Sequence, residues 1–251
     1  MIQIPQNLKP KNFLIEPTVQ DEINKNKVMK PKLPIKCYTI EEIQNLFCAE
    51  YKIIFKRDFK FTEESKIILF TILYYFFRDD HFFNSPCLIK PDGTNPSFDK
   101  GLLVMGNTGT GKTSIFSTLE KVFNNHLLFD PITHFRSISA YQLVDEFEKL
   151  KNPEEREDYF IKHQRGFRCY DDVKSENDAS NFGKVNLVKK ILYQRNEKRL
   201  KTIITCNYNP SFPNSFEKGL DEFGIRYDGR IYDRLFSDFN FIETKGKSFR
   251  G

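Results

Sequence analysis

From Thr39 onward, apolar residues recur at helical spacing. Ile40, Ile43, Leu46, Phe47 and Ile54 share one face, and Thr39 with Glu42 three residues on has the layout of a capping box. A second helix is predicted behind Thr62, from Glu63 to about Phe77. Its body, Ile67 to Tyr74, is apolar around most of the circumference and predicts burial. A connector over 84–99 comes next, marked by Pro86, Pro91, Gly93 and Pro96. Beyond it, short apolar runs at 102–105, 135–138, 167–170, 202–206 and 239–242 read as strands. Helical faces alternate with them: Ile115, Leu119, Val122 and Phe123; 140–150; Val185, Val188, Ile191 and Leu192; and Tyr232, Leu235 and Phe236. This alternation predicts an α/β fold with a mostly parallel five-stranded sheet flanked by helices.

Residues 1–36 break the pattern, with five prolines, seven lysines and one aromatic. They read as an extended arm, either a tail or a segment that orders on a partner. The predicted organisation is therefore an arm at 1–36, a small helical region at 37–95 and an α/β core at 96–251. No run nears the roughly 20 apolar residues of a membrane span, and Met1-Ile2-Gln3-Ile4-Pro5 lacks the layout of a signal peptide. A membrane partner is not expected. The charge balance, 39 basic against 34 acidic residues, gives +5, which permits a nucleic-acid partner without requiring one. Cys37, Cys48, Cys87, Cys169 and Cys206 include no C-x-x-C pair, so reduced cytosolic thiols are expected, with neither structural zinc nor a disulfide framework. Phe is abundant at 26 while Trp is absent; an AT-rich coding sequence accounts for this and implies no function.

The chemistry starts at Gly106-Asn107-Thr108-Gly109-Thr110-Gly111-Lys112-Thr113, which fits G-x-x-x-x-G-K-S/T at every fixed position, with Ser114 adjoining. It comes after an apolar run and opens a helix, so backbone N–H groups and the helix N-terminus would face a phosphate. Lys112 would reach the β- and γ-phosphates of ATP, and the Thr113 hydroxyl would hold Mg²⁺. A second carboxylate is needed at the end of a neighbouring strand, and Asp171 and Asp172 end the run 167–170. Asp171 is expected at the metal and Asp172 as base toward the attacking water, the plain alternative being a polar strand end with a turn. Asn207, at the end of the run 202–206, can bridge the γ-phosphate and that water; the alternative is a turn-forming Asn ahead of Tyr208-Asn209-Pro210. If 227–235 is helical, Arg230 and Arg234 fall four apart on one face. Such a ridge suits insertion into a neighbouring subunit's nucleotide site; a solvated ridge paired with Asp233 or Asp238 is the plain alternative.

Other nucleotide-binding classes fit less well. A guanine-binding N-K-x-D is missing, since Asn24-Lys25-Asn26-Lys27 lacks the Asp and precedes the glycine loop. A helicase with two fused motor domains needs a longer chain. A metabolite kinase stays open but needs neither a sensor Asn nor paired arginines.

Together, Gly106–Thr113, Tyr170-Asp171-Asp172-Val173, Thr205-Cys206-Asn207 and Gly229-Arg230-Ile231-Tyr232-Asp233-Arg234-Leu235, with Gly246-Lys247-Ser248-Phe249-Arg250 at the end, resemble the DnaC/IstB branch of AAA+ ATPases. The resemblance covers about residues 95–251 and is nearest to versions carried by phages and mobile elements. It implies a bacterial cytoplasmic ATPase that forms a ring or helical oligomer with itself and binds single-stranded DNA. Loading of a replicative helicase is the leading role it implies; an IstB-like ATPase acting beside a transposase is the alternative. A nucleotide-gated DNA-binding module with little hydrolysis is a third reading. By the family pattern Lys112 and Thr113 are Walker A, Asp171 and Asp172 Walker B and Asn207 sensor 1. Arg234 is then the arginine finger, with Arg230 secondary. The branch lacks a C-terminal helical lid, and this chain ends one strand after the arginine box. Two departures stand out: Asp172 replaces the usual Glu, and Lys174 stands where Gly often comes after the acidic pair.

Lys184, Lys189, Lys190 and Arg195 cluster around the helix after the acidic pair, together with Lys198, Arg199 and Lys201. In a ring they would face a channel holding a phosphate backbone; a solvated basic face is the alternative. The polar stretch 171–182 is expected to be a mobile DNA-contacting loop.

Overall fold

A computed structural model of the chain describes residues 38–127, 133–181 and 183–246. The arm expected at 1–36, Cys37 and the residues after Gly246 lie outside the described residues.

The first helix, α1 (Ile40–Phe55), starts at the expected capping box, the Thr39 hydroxyl accepting from the Glu42 amide while the Glu42 carboxylate accepts from the Thr39 amide. α2 (Glu63–Phe76) is capped in the same manner by Thr62 and Ser65. A short edge strand β1 (Leu88–Ile89) precedes β2 (Gly101–Gly106), after which come α3 (Lys112–His126), β3 (Phe135–Ser139), α4 (Ala140–Glu148) and α5 (Pro153–His163). The chain continues through β4 (Phe167–Val173), the hairpin strands β5 (Ala179–Ser180) and β6 (Lys184–Val185), α6 (Leu187–Glu197) and β7 (Thr202–Cys206). It then runs into α7 (Phe216–Tyr227), α8 (Gly229–Asp238) and β8 (Phe239–Thr244).

The sheet order is β1-β8-β2-β7-β4-β3. Every pairing is parallel except β1 with β8. The five expected strands are thus the parallel ones, and the sixth is a two-residue antiparallel edge too short to leave an apolar pattern. This is a P-loop, AAA+-like α/β fold, a mostly parallel sheet flanked by helices.

Because strand side chains alternate, β2 serves two cores. Leu102 and Val104 pack with α1, α2 and α3 on one face, while Leu103 and Met105 pack with α4, α5, α6, α7 and α8 on the other. The helices of 40–76 therefore share the core of the sheet. Much of the phenylalanine goes here: the ring of Phe76 stands 4.8 Å from Phe123 and 5.6 Å from Phe135.

Two helices lie outside the elements expected from the sequence. α5 is mostly charged and buries only Tyr159, Phe160 and His163. α7 sets Phe216, Leu220, Phe223 and Tyr227 at helical spacing but also carries Gly219 and Gly224 inside the helix, against its intrinsic propensity. Gly219 lets Met105 approach closely, since a Cβ there would meet the Met105 sulfur at 2.3 Å and push that side chain aside. Val185, expected in the helix of 185–192, lies in β6 instead, because Asn186 caps α6 one residue later. No described helix is long and apolar enough to cross a membrane.

Candidate functional site

Parallel strands β2, β7 and β4 lie side by side, so the segments leaving their C-terminal ends converge at one edge of the sheet. The glycine loop leaves β2, Asp171 and Asp172 lie at the end of β4, and Asn207 comes directly after β7. Gly111, at φ +84°, turns the loop into α3 in the left-handed region, where a side chain would be strained. α3 has no side-chain cap, whereas every other described α-helix has one. Its first-turn amides are left to the cleft.

Lys112 is buried. Its ammonium donates to the carbonyls of Gly106 and Asn107, both at 2.9 Å, and to the side-chain oxygen of Asn207 at 3.1 Å. The Asn207 amide donates in turn to the Asp172 carboxylate at 2.8 Å. A polar chain thus joins the glycine loop to the acidic pair across three strands.

Asp171 is buried and accepts from the Thr205 hydroxyl at 2.6 Å, and the same hydroxyl oxygen accepts from the Asp172 amide at 3.0 Å. Burial pushes the Asp171 carboxyl up, opposed by hydrogen bonds from Thr205 and Thr113. Asp172 has φ +55°, at a register shift between Tyr170 and Val173. Asp tolerates that conformation better than the longer Glu usual in this role.

Thr113 and Asp171 are the residues that could hold a divalent cation. A hydroxyl oxygen and a carboxylate oxygen form a hard donor pair that fits magnesium. Among the described residues no group of three or more His, Cys, Asp or Glu could hold a metal by itself, so an ion here would draw its remaining ligands from water or a phosphate.

The cleft, about 210 Å³, is lined by Thr108, Gly109, Gly111, Lys112, Thr113, Ser114, Asp172, Thr205 and Asn207 on one side. Tyr51, Phe55 and Arg57 of the α1 end form the remaining wall. Thr205 is legible in the sequence only as a strand residue, although its place two positions before Asn207 puts both on one face. Tyr51, Phe55 and Arg57 leave no signal, because nothing local says that the end of α1 meets the glycine loop. Asn107 bonds Asn214 at 2.7 Å, and Thr110 bonds the Asn107 carbonyl at 2.9 Å.

Lys174 has φ +80°, the conformation for which Gly is common there. Its ammonium is buried against Glu222 at 2.8 Å. Glu176, also buried, accepts from the Tyr227 hydroxyl at 2.6 Å and from the Lys174 amide at 2.9 Å. Asn181 donates to the Phe147 and Leu150 carbonyls, both at 2.9 Å. The stretch expected as a mobile DNA loop is therefore pinned through its described residues to α4 and α7.

The arginines are not brought to this cleft. Arg234 lines a separate cavity of about 420 Å³ with Gly101, Thr202 and Phe239, which open β2, β7 and β8 and so mark the opposite end of the sheet. Its guanidinium lies 4.6 Å from the centre of the Tyr193 ring, and Nη1 is buried with no hydrogen-bond partner among the described residues. Arg230 is exposed and reaches the Tyr193 hydroxyl at 3.5 Å. Neither pairs with Asp233 or Asp238 among the described residues.

Of the expected DNA contacts, Arg195 must be withdrawn. It is 1% exposed, and its donors go to Thr202 Oγ1 and to the carbonyls of His163, Gly166 and Lys201. Its stem points inward, so it is a clamp between strand and helix ends. Lys189 pairs with Asp228 at 2.8 Å, and the Lys190 ammonium sits 3.8 Å above the Phe160 ring. Lys184 is exposed.

No protein-family model matches the chain, and no curated protein does. Among solved structures it is similar to the crystal structure of the DnaC helicase loader, with a TM-score of 0.50 and 17% identity, covering 76% of this chain and 94% of that one. It is also similar to the crystal structure of DnaI, at a TM-score of 0.47 and 16% identity over 83% of this chain and 95% of that one. At 17% identity the likeness to the DnaC structure is one of fold.

Proposed function

We propose that the chain is an AAA+ ATPase that oligomerises on DNA and acts as a helicase loader. The observation that carries the ATPase reading is the run Lys112–Asn207–Asp172, closed by Thr205 on Asp171. In this reading Lys112 and the amides at the start of α3 bind the phosphates of ATP. Thr113 and Asp171 would hold Mg²⁺, which would shield phosphate charge. Asn207 orients the attacking water and Asp172 accepts its proton. Phe55, whose ring is 4.6 Å from Tyr51, and Arg57 would supply the wall available to the base.

Arg234 serves a second copy in this reading, since it stands at the sheet end away from its own cleft. Hydrolysis by a lone chain is then weak and rises with self-association. The experiment is phosphate release against protein concentration for wild type and Arg234→Ala. Wild-type turnover per chain rises with concentration, and the variant stays low while still binding ATP. Brisk turnover by Arg234→Ala at concentrations where wild type is oligomeric would remove the trans role. Asp172, short and tied to Asn207, favours slow turnover, which suits a timer more than a motor. The loader role draws on the family resemblance and on the fold shared with the DnaC structure; co-purification with a hexameric helicase rather than a transposase would separate it from the transposition reading.

A further inference from the structure

A groove of about 590 Å³ opens where α3 ends and β3 and β4 begin. Parallel strands place it at the end of the sheet away from the glycine loop. Lys121 and Asn125 of α3, His134 and Arg136 beside the start of β3, and Arg165 and Arg168 beside the start of β4 line it. Glu120 is the one carboxylate in that lining among the described residues.

Four cations thus face a single anionic side chain. None of the four lies within ion-pair distance of a carboxylate among the described residues, whereas Lys149, Lys162, Lys189 and Lys218 elsewhere each have one. Arg168 is fixed by the carbonyls of Lys162 and Arg165, at 2.7 and 3.3 Å. The Nε2 of His134 is buried with no hydrogen-bond partner among the described residues. Like charges held together repel, and an anion relieves that cost. The cations come from three separate segments, which suits an extended chain of charges better than one small ion. Among the described residues of the lining, Phe135 and Phe167 are the only large apolar side chains, and Phe135 is buried, so this described lining offers little to the apolar anchors of a protein partner.

We propose that this groove binds the phosphodiester backbone of a nucleic-acid strand, without reading its sequence. The assignment rests on the DNA partner of the proposed function but not on its ATPase chemistry. It moves the principal contact away from α6, where Arg195 is buried and Lys189 and Lys190 are engaged.

The test is fluorescence anisotropy of the full chain with labelled oligothymidylate and with a labelled duplex, from low to physiological salt, with and without a non-hydrolysable ATP analogue. Arg136→Ala/Arg165→Ala weakens binding about tenfold or more at physiological salt, and the log–log salt slope becomes shallower by about 1.4 on the single strand. Arg136→Lys/Arg165→Lys retains most of the affinity, and Lys149→Ala/Lys218→Ala, which loses the same two charges elsewhere, stays within about twofold of wild type. The two labelled probes tell which strand form supplies the backbone. The proposal is overturned if the double alanine variant binds like wild type, if wild type binds neither probe, or if binding is lost instead in Lys184→Ala/Lys190→Ala. Displacement by polyglutamate as readily as by unlabelled oligonucleotide also overturns it, because the ligand is then any acidic chain. ATP-analogue binding by the same variants is read separately: failure there counts against the ATPase reading, and failure of the anisotropy series against the groove.

Discussion

The Asn207 amide donates to the Asp172 carboxylate across 2.8 Å, two strand ends meeting beside the ammonium of Lys112. One small side chain thereby holds the candidate base and touches the candidate phosphate-binding cation. Its oxygen and its nitrogen face opposite charges, as an amide can and a carboxylate cannot.

Asn207→Ala should separate binding from chemistry. Removing the amide leaves the glycine loop intact but frees Asp172 and the water it would activate. Turnover is expected to fall about 100-fold, with much less change in KM. Steady-state phosphate release checks this; a raised KM at unchanged turnover would instead make Asn207 a binding residue.

Arg195→Met should cost stability. The substitution keeps much of the apolar volume but leaves the carbonyls of His163, Gly166 and Lys201 without their donor. Burial pulls the Arg195 guanidinium down from its ordinary value, so its charge is tolerated there through these bonds. The expected loss is about 3 kcal/mol, or roughly 6–12 °C in Tm, by thermal melting. A melt unchanged from wild type would contradict the clamp.

The sheet is legible in the sequence because its five parallel strands contain short apolar runs, three of which, β2, β4 and β7, lead directly into residues that carry chemistry. The glycine loop, the acidic pair and Asn207 are readable because they sit on the chain immediately after those runs. Arg195 is misleading: a basic residue on a polar helix looks solvated until the fold shows that it faces four oxygens around the strand starts and the end of α5. The groove at Arg136 and Arg165 is invisible for a related reason, since its charges come from segments far apart in sequence. α7 is masked by its two glycines despite the helical spacing of Phe216, Leu220, Phe223 and Tyr227, and the close approach of Met105 to Gly219 is visible only in the fold.

Acid should destabilise the protein through His163. Burial, with Arg168, Lys162 and Arg195 nearby, pushes its imidazole down to about 3, while its Nδ1 lies 3.3 Å from the Tyr170 hydroxyl. An unfolded imidazole titrates near about 6.5, so below that pH the unfolded chain takes up a proton that the folded one refuses. The stability tied to the neutral ring is present above about pH 6.5 and is lost as pH falls toward 3, at up to about 1.4 kcal/mol per pH unit. Melts between about pH 7 and about pH 5 should fall more steeply for wild type than for His163→Gln. Equal slopes would place the acid sensitivity elsewhere.

The central claim is that the glycine loop and the end of β4 make one magnesium–nucleotide site. Its most direct measurement is equilibrium binding of a fluorescent ATP analogue, in magnesium and in chelator, by wild type, Lys112→Ala and Asp171→Asn. Wild type should bind tightly in magnesium and weakly without it. Lys112→Ala should lose affinity in both conditions, and Asp171→Asn should lose only the advantage that magnesium confers. Magnesium-dependent binding that survives intact in both variants would contradict the account.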